Sequence, residues 1–119
     1  MIIDDDSDIN NLFKIYLEHN GYSVNSYTDS VEALNYFEKN MYDLIILDLK
    51  MRKIDGRTLY KKLREIDKNI RICITTADQY SIQELKDGNL DIEKIIISKP
   101  ILLEDLKNKV EAVLLKHKE

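Results

Sequence analysis

Apolar residues in this chain come in short consecutive runs, and stretches with a helical stripe separate them. Ile2-Ile3, Leu44-Ile45-Ile46-Leu47, Ile72-Cys73-Ile74 and Ile95-Ile96-Ile97 are too brief for helices and apolar at every position. A run of that kind reads as a strand of a parallel sheet buried on both faces. Tyr22 to Tyr27 reads as a further strand, second in chain order. Strands three, four and five are expected over about Asp43 to Asp48, Ile70 to Thr75 and Lys94 to Ser98. Ser7 is placed to cap a first helix carrying Ile9, Leu12, Phe13, Tyr16 and Leu17, which Gly21 ends in a left-handed conformation. Asp29-Ser30-Val31-Glu32 has the form of a capping box, opening a second helix with Val31, Leu34 and Phe37 inward. Asp55-Gly56 leads into a third with Leu59, Leu63 and Ile66. A weaker helix is expected near Ser81 to Lys86. Leu103, Leu106, Val110, Val113 and Leu114 mark the last. Alternating units of this kind, joined by right-handed crossovers, predict an α/β fold: a doubly wound five-stranded parallel sheet with helices on both faces.

Composition bounds what such a domain does. The chain has 119 residues, which is one domain, 1–119, with a real core. A formal net charge of −4 argues against direct nucleic-acid binding, which needs clustered Lys and Arg. Cys73 is the single cysteine, so no internal disulfide exists; a thiol between two isoleucines reads as a buried structural residue in a reducing compartment. No apolar stretch approaches the length of a membrane span and no signal-peptide pattern opens the chain. The location expected from these features is cytoplasmic. His19 and His117 sit in polar helix ends without metal-ligand spacing. Asp6 and Asp8 read as first-turn acids that suit a helix dipole.

Four of the runs end on residues suited to a phosphoryl group. The first runs into Asp4-Asp5-Asp6, the third-strand run into Asp48, the fourth-strand run into Thr75-Thr76-Ala77, and the last into Ser98-Lys99-Pro100. Ligands of open parallel sheets bind beyond the carboxyl ends of the strands. Carboxylates, a hydroxyl and an ammonium would therefore meet at one edge, a set able to hold a divalent metal and a phosphoryl group together. Taken singly, each has a plain reading: a solvated turn, a loop acid, a capping threonine, an exposed lysine.

In order and spacing, Asp4-Asp5, Asp48-Leu49-Lys50-Met51 with Asp55-Gly56, Thr76-Ala77 and Lys99-Pro100 resemble the response-regulator receiver domain of two-component signalling, a flavodoxin-like fold. The resemblance covers essentially the whole chain. It implies that Asp48 accepts a phosphoryl group from a histidine kinase or phosphotransfer protein, that Mg²⁺ assists, and that an unknown downstream protein is the output. It further implies Asp5, Asp48 and the backbone carbonyl of Lys50 as direct metal ligands, with Asp4 acting through water. Thr76 and Lys99 would contact phosphoryl oxygens, Ala77 would leave room for the group, and the Lys99-Pro100 bond would be cis. Lys50 and Asp78 would flank the acyl phosphate. Their opposite charges suggest a pair across the mouth that slows self-dephosphorylation.

The chain departs from the family pattern in places. Ile96 stands where Tyr or Phe is usual, which sets the threonine–aromatic switch in doubt. Arg52 stands four after the acceptor, where proline is common. Gly88-Asn89-Leu90-Asp91 replaces the usual Gly-Ala-Asp, so the fourth helix is expected to end irregularly. With only Met1 to Ile3 before the acids, the start reads as trimmed. No output module follows, which leaves a stand-alone receiver or a fragment of a longer regulator. Two alternatives stay open. One is a receiver-like interaction module that is never phosphorylated. The other is a small dehalogenase-type phosphatase using Asp4-Asp5-Asp6, against which Asp8 stands where Thr or Val is expected.

Overall fold

Five strands pair in parallel in the order β2-β1-β3-β4-β5. They are β1 (Ile2–Ile3), β2 (Ser26–Tyr27), β3 (Leu44–Asp48), β4 (Arg71–Thr76) and β5 (Ile96–Ser98). Among the described residues four helices accompany them: α1 (Ser7–His19), α2 (Ser30–Tyr36), α3 (Gly56–Ile66) and α4 (Leu103–Leu115). The computed structural model describes residues 1–77 and 96–115. The helix expected near Ser81 to Lys86, the Gly88-Asn89-Leu90-Asp91 segment, and Lys94 and Ile95 lie outside these residues.

Alternation along the buried strands builds two cores. Ile3, Ile45, Leu47, Ile72 and Ile74 face Ala33 and Phe37 from the α2 region and Leu59 and Leu63 of α3. Their chain neighbours Ile2, Leu44, Ile46 and Cys73, with Ile97 of β5, face Phe13 and Leu17 of α1 and Leu106, Val110 and Val113 of α4. Helices on both faces are why every β3 residue is buried, and why the run shows no polar alternation. Cys73 is fully buried, and burial pushes its thiol up to about 12. No described helix is long and apolar enough to cross a membrane.

Local details correct several sequence expectations. Asp6, not Ser7, caps α1: its backbone is still extended, and its carboxylate accepts from the Asp8 and Ile9 N–H groups. Gly21 does take a left-handed φ of 92° just past the cap Asn20. Leu12 is half exposed while Asn10 is buried. Asn10 turns inward because its Nδ2 donates to the carbonyls of Asp4 (3.1 Å) and Tyr27 (2.8 Å), tying together the ends of β1 and β2. β2 is two residues, far shorter than Tyr22 to Tyr27. Asp29 caps α2 as expected, through the Val31 and Glu32 N–H groups. Phe37 is buried and Leu34 packs against the first core, as expected, but Val31 is exposed, and Ser30 and Ala33 are buried as well. Ile66 at the end of α3 is also exposed. β4 runs one residue later than expected at each end, and β5 begins at Ile96 within the described residues.

Candidate functional site

Register brings the acids together. Ile3 pairs with Leu47, so the next residues, Asp4 and Asp48, leave neighbouring strands side by side. The β1–β3 boundary is also where the strand order reverses, the usual crevice for ligands in a doubly wound sheet. One carboxylate oxygen from each of Asp4, Asp5 and Asp48 lies within 4.8 Å of the others. Asp4 and Asp48 are buried and Asp5 is partly so. Asp4 Oδ1 accepts from the Asp6 N–H at 3.0 Å.

Lys99 arrives from the far side. It follows β5, and its N–H donates to the Thr76 carbonyl at 2.8 Å, pinning the ends of β4 and β5 together. Neighbouring strands are spaced about 4.8 Å apart, so its side chain must pass over β4 to reach β3. Its Nζ stands 3.1 Å from Asp4 Oδ2 and 3.4 Å from Asp48 Oδ1. Burial alone would lower the lysine's pKa, but the facing Asp48 and Asp4 outweigh it and hold the ammonium above its ordinary value. Asp48 is pushed up to about 6, first by burial and then by Asp4; Lys99 opposes that rise, and Asp5 adds to it. Among the described residues the site is therefore short of positive charge: the Lys99 ammonium and the exposed Arg52 guanidinium face three carboxylates.

The remaining predicted residues fall around this centre. Thr76 is the buried last residue of β4, opposite Ser98, and Ala77 beyond it is exposed. Ile96 is half-buried, opposite Ile74, and packs against the first core. Pro100 is exposed and follows a cis peptide bond, as expected. Lys50 is exposed on the loop after β3. Asp78 lies outside the described residues, and with it the expected Lys50–Asp78 pair.

Some residues that shape the site were not anticipated. Leu49 donates to the Thr75 carbonyl (3.0 Å) and accepts from the Gly56 N–H (2.8 Å), so the chain turns sharply past Asp48. A Cβ on Gly56 would stand 2.5 Å from Leu49 Cα and 2.6 Å from the Asp48 carbonyl oxygen. Ser30 Oγ donates to the Arg52 carbonyl (3.0 Å) and accepts from the Ile54 N–H (2.9 Å), fastening the loop after β3 to the start of α2. Lys53, at a positive φ of 68°, pairs with Asp29 beside it. Arg52 donates its backbone N–H to Asp5 Oδ2 at 3.1 Å. Asp55-Gly56 was the one visible signal for the close turn; nothing in the sequence pointed to Ser30.

An all-oxygen donor set with excess negative charge fits a hard divalent cation such as Mg²⁺ and does not suit softer metals. A separate cavity of about 310 Å³ opens at the opposite end of the sheet among residues such as Leu17, Val24, Met41 and Leu114; none of the site residues lines it.

Comparison with known proteins agrees with this geometry. The family model for the response regulator receiver domain matches residues 1–111. The transcriptional regulatory protein RprY of Bacteroides fragilis is 35% identical over 118 residues, 96% of this chain and 48% of that protein. The response regulator MprA of a Mycobacterium species is 32% identical, over 96% of this chain and 49% of its own. The chain thus spans about half the length of the curated relatives it matches. A two-component response regulator from Clostridium difficile superposes with a TM-score of 0.84 at 32% identity, covering 99% of this chain and 96% of that one. The response regulator TrrA from Thermotoga maritima, solved in complex with Mg²⁺-BeF, superposes at 0.78 with 28% identity, covering 94% and 95%. With that match spanning nearly its whole length, the chain belongs to the receiver-domain family of two-component response regulators.

Proposed function

We propose that Asp48 is a phosphoacceptor, taking a phosphoryl group from a histidine kinase or phosphotransfer protein in the cytoplasm. A carboxylate oxygen of Asp48 attacks phosphorus, the P–N bond of the phosphohistidine breaks, and its electron pair leaves with the imidazole nitrogen. The product is an aspartyl phosphate. Lys99, already between Asp4 and Asp48, turns its ammonium to a phosphoryl oxygen as a compact point charge. The Thr76 hydroxyl donates to another oxygen, and Ala77 presents no bulk. Mg²⁺, held by Asp5, Asp48 and the Lys50 carbonyl with Asp4 acting through water, would neutralise the charge gathered on the phosphoryl oxygens. Ile96 has no ring to rotate, so the response runs through the loop starting at Ala77 toward a downstream protein. Lys50 and Asp78 shield the acyl phosphate from water and slow its loss.

The observation that supports this reading most is the meeting of three carboxylates and one partly buried ammonium at the end of β1 and β3. The test is mass analysis after treatment with a small phosphodonor and Mg²⁺. The expected result is one phosphoryl group on Asp48, lost without Mg²⁺, sharply reduced in Asp5→Ala and absent in Asp48→Asn, whose amide is no nucleophile. Labelling of Asp48→Asn at the wild-type level would exclude Asp48 as acceptor. Phosphate on Asp4 would point to phosphatase-like chemistry, and none at all to an interaction module.

A further inference from the structure

Lys99 reaches Asp4 and Asp48, whereas Arg52 touches Asp5. Its backbone N–H donates to Asp5 Oδ2 at 3.1 Å, and its guanidinium Nε stands 3.5 Å from the same oxygen. The arginine side chain is 87% exposed, so little besides Asp5 holds it there, while the Asp5 side chain is 23% exposed. The backbone beneath it is fixed, because Ser30 accepts from Ile54 and donates to the Arg52 carbonyl. Asp5 therefore has an internal cation seated on its accessible side, delivered by a loop anchored elsewhere.

From this we propose that the Arg52 guanidinium is a built-in competitor for the divalent cation at Asp5. The inference rests on Asp5 being a metal ligand. A guanidinium and a hydrated dication cannot both crowd one carboxylate oxygen without mutual repulsion, so occupancy by one weakens the other. Linkage makes the effect reciprocal: whatever Arg52 takes from metal affinity, the metal takes from Arg52's hold on Asp5. A loaded site would release the guanidinium into solvent at its mouth. Exposed ion pairs are weak, so the expected effect is modest, a change of about two- to fivefold in metal affinity.

The experiment is calorimetric titration of the full chain with Mg²⁺ alone, in wild type, Arg52→Ala, Arg52→Lys and Lys61→Ala. Arg52→Ala keeps the backbone N–H and removes only the guanidinium. Lys61→Ala removes the same charge from an exposed position on α3 that does not touch Asp5. The proposal expects Arg52→Ala to bind Mg²⁺ about two- to fivefold more tightly at low salt, with a smaller gain at high salt as the exposed guanidinium is screened. Arg52→Lys should fall between it and wild type, and Lys61→Ala should match wild type. In wild type the Arg52 Nε–H resonance should move toward its free position as Mg²⁺ is added. Equal affinity in Arg52→Ala and wild type overturns the proposal, as does an equal gain in Lys61→Ala. Saturable Mg²⁺ binding that survives intact in Asp5→Ala, or none in any protein, overturns the metal assignment of Asp5 and this inference with it.

Discussion

Burial sorts the polar residues at the strand ends by whether each has a partner. Asp4 is 2% exposed and satisfied, by the Asp6 N–H and by Lys99. Asn10 is 1% exposed and donates twice to backbone carbonyls. Thr75 is 1% exposed, yet its hydroxyl has no hydrogen-bond partner among the described residues. It pairs in register with Asp48 on one side and Ile97 on the other. A buried hydroxyl without a partner costs ~1–3 kcal/mol relative to an apolar group of the same shape. Thr75→Val fills the same volume and removes that cost. The variant should therefore be more stable by roughly 1 kcal/mol in chemical denaturation. Unchanged or lower stability would mean that the hydroxyl is satisfied in solution, by a water or by the carboxylate beside it.

At the scale of elements, the β3–α3 connection carries more of the site than its sequence suggests. Gly56 opens α3 directly under the turn after Asp48, where a Cβ would meet main-chain atoms of Asp48 and Leu49 closer than any real contact. Backbone cannot step aside as a flexible side chain does. Gly56→Ala should thus destabilise by ~1–3 kcal/mol despite alanine's better helix propensity, and weaken Mg²⁺ binding by shifting Asp48. Asp55→Ala is the control: it loses the cap to the Thr58 N–H, worth about 1 kcal/mol, and should leave Mg²⁺ affinity alone. Denaturation and Mg²⁺ titration of both variants decide it, and a Gly56→Ala protein with wild-type stability and affinity would refute the close-approach argument. The same contrast explains what could be read from the sequence. β3 was legible because four consecutive apolar residues ending in an acid have few other uses, and the strand ends that converge were visible for the same reason. Phe13, Leu17 and Phe37 were legible as inward residues too, but the buried polar residues of α1 and α2 were not. Ser30 and Asn10 are buried for hydrogen bonds they make to a loop and to strand ends, and a hydrophobic stripe cannot report a polar residue doing that. β2 was overread because Tyr22 and Val24 are apolar for packing, while only Ser26 and Tyr27 find ladder partners on β1.

The whole molecule feels the charge imbalance at its site through pH. Burial and neighbouring acids raise Asp48 from 3.8 in the unfolded chain to about 6 in the folded one. A carboxyl with a raised folded pKa holds its proton more tightly in the native state. Its contribution to stability is thus greatest below about pH 4 and is lost as pH rises through 6, where the unfolded chain has already ionised freely. The two-unit span corresponds to at most ~3 kcal/mol, and Lys99 on the same carboxylate moderates it. Lys99 has linkage of the same sign in a higher window: its raised value stabilises the fold at all pH below its unfolded value and is lost only at high pH. Other carboxylates also titrate between pH 4 and 6, so the informative quantity is the stability of wild type minus that of Asp48→Asn, which cancels them. That difference should fall with rising pH from 4 to 6 and then level off. On the proposed reading Mg²⁺ would bind the ionised site and stabilise by mass action, so millimolar Mg²⁺ should raise the wild-type melting temperature more at pH 7 than at pH 5, and raise that of Asp48→Asn less. Melting curves at constant ionic strength provide the measurement. A wild-type minus Asp48→Asn difference that stays flat from pH 4 to 7 would mean that Asp48 ionises as freely in the folded protein as in the unfolded chain. The excess negative charge would then not be concentrated at the end of β3.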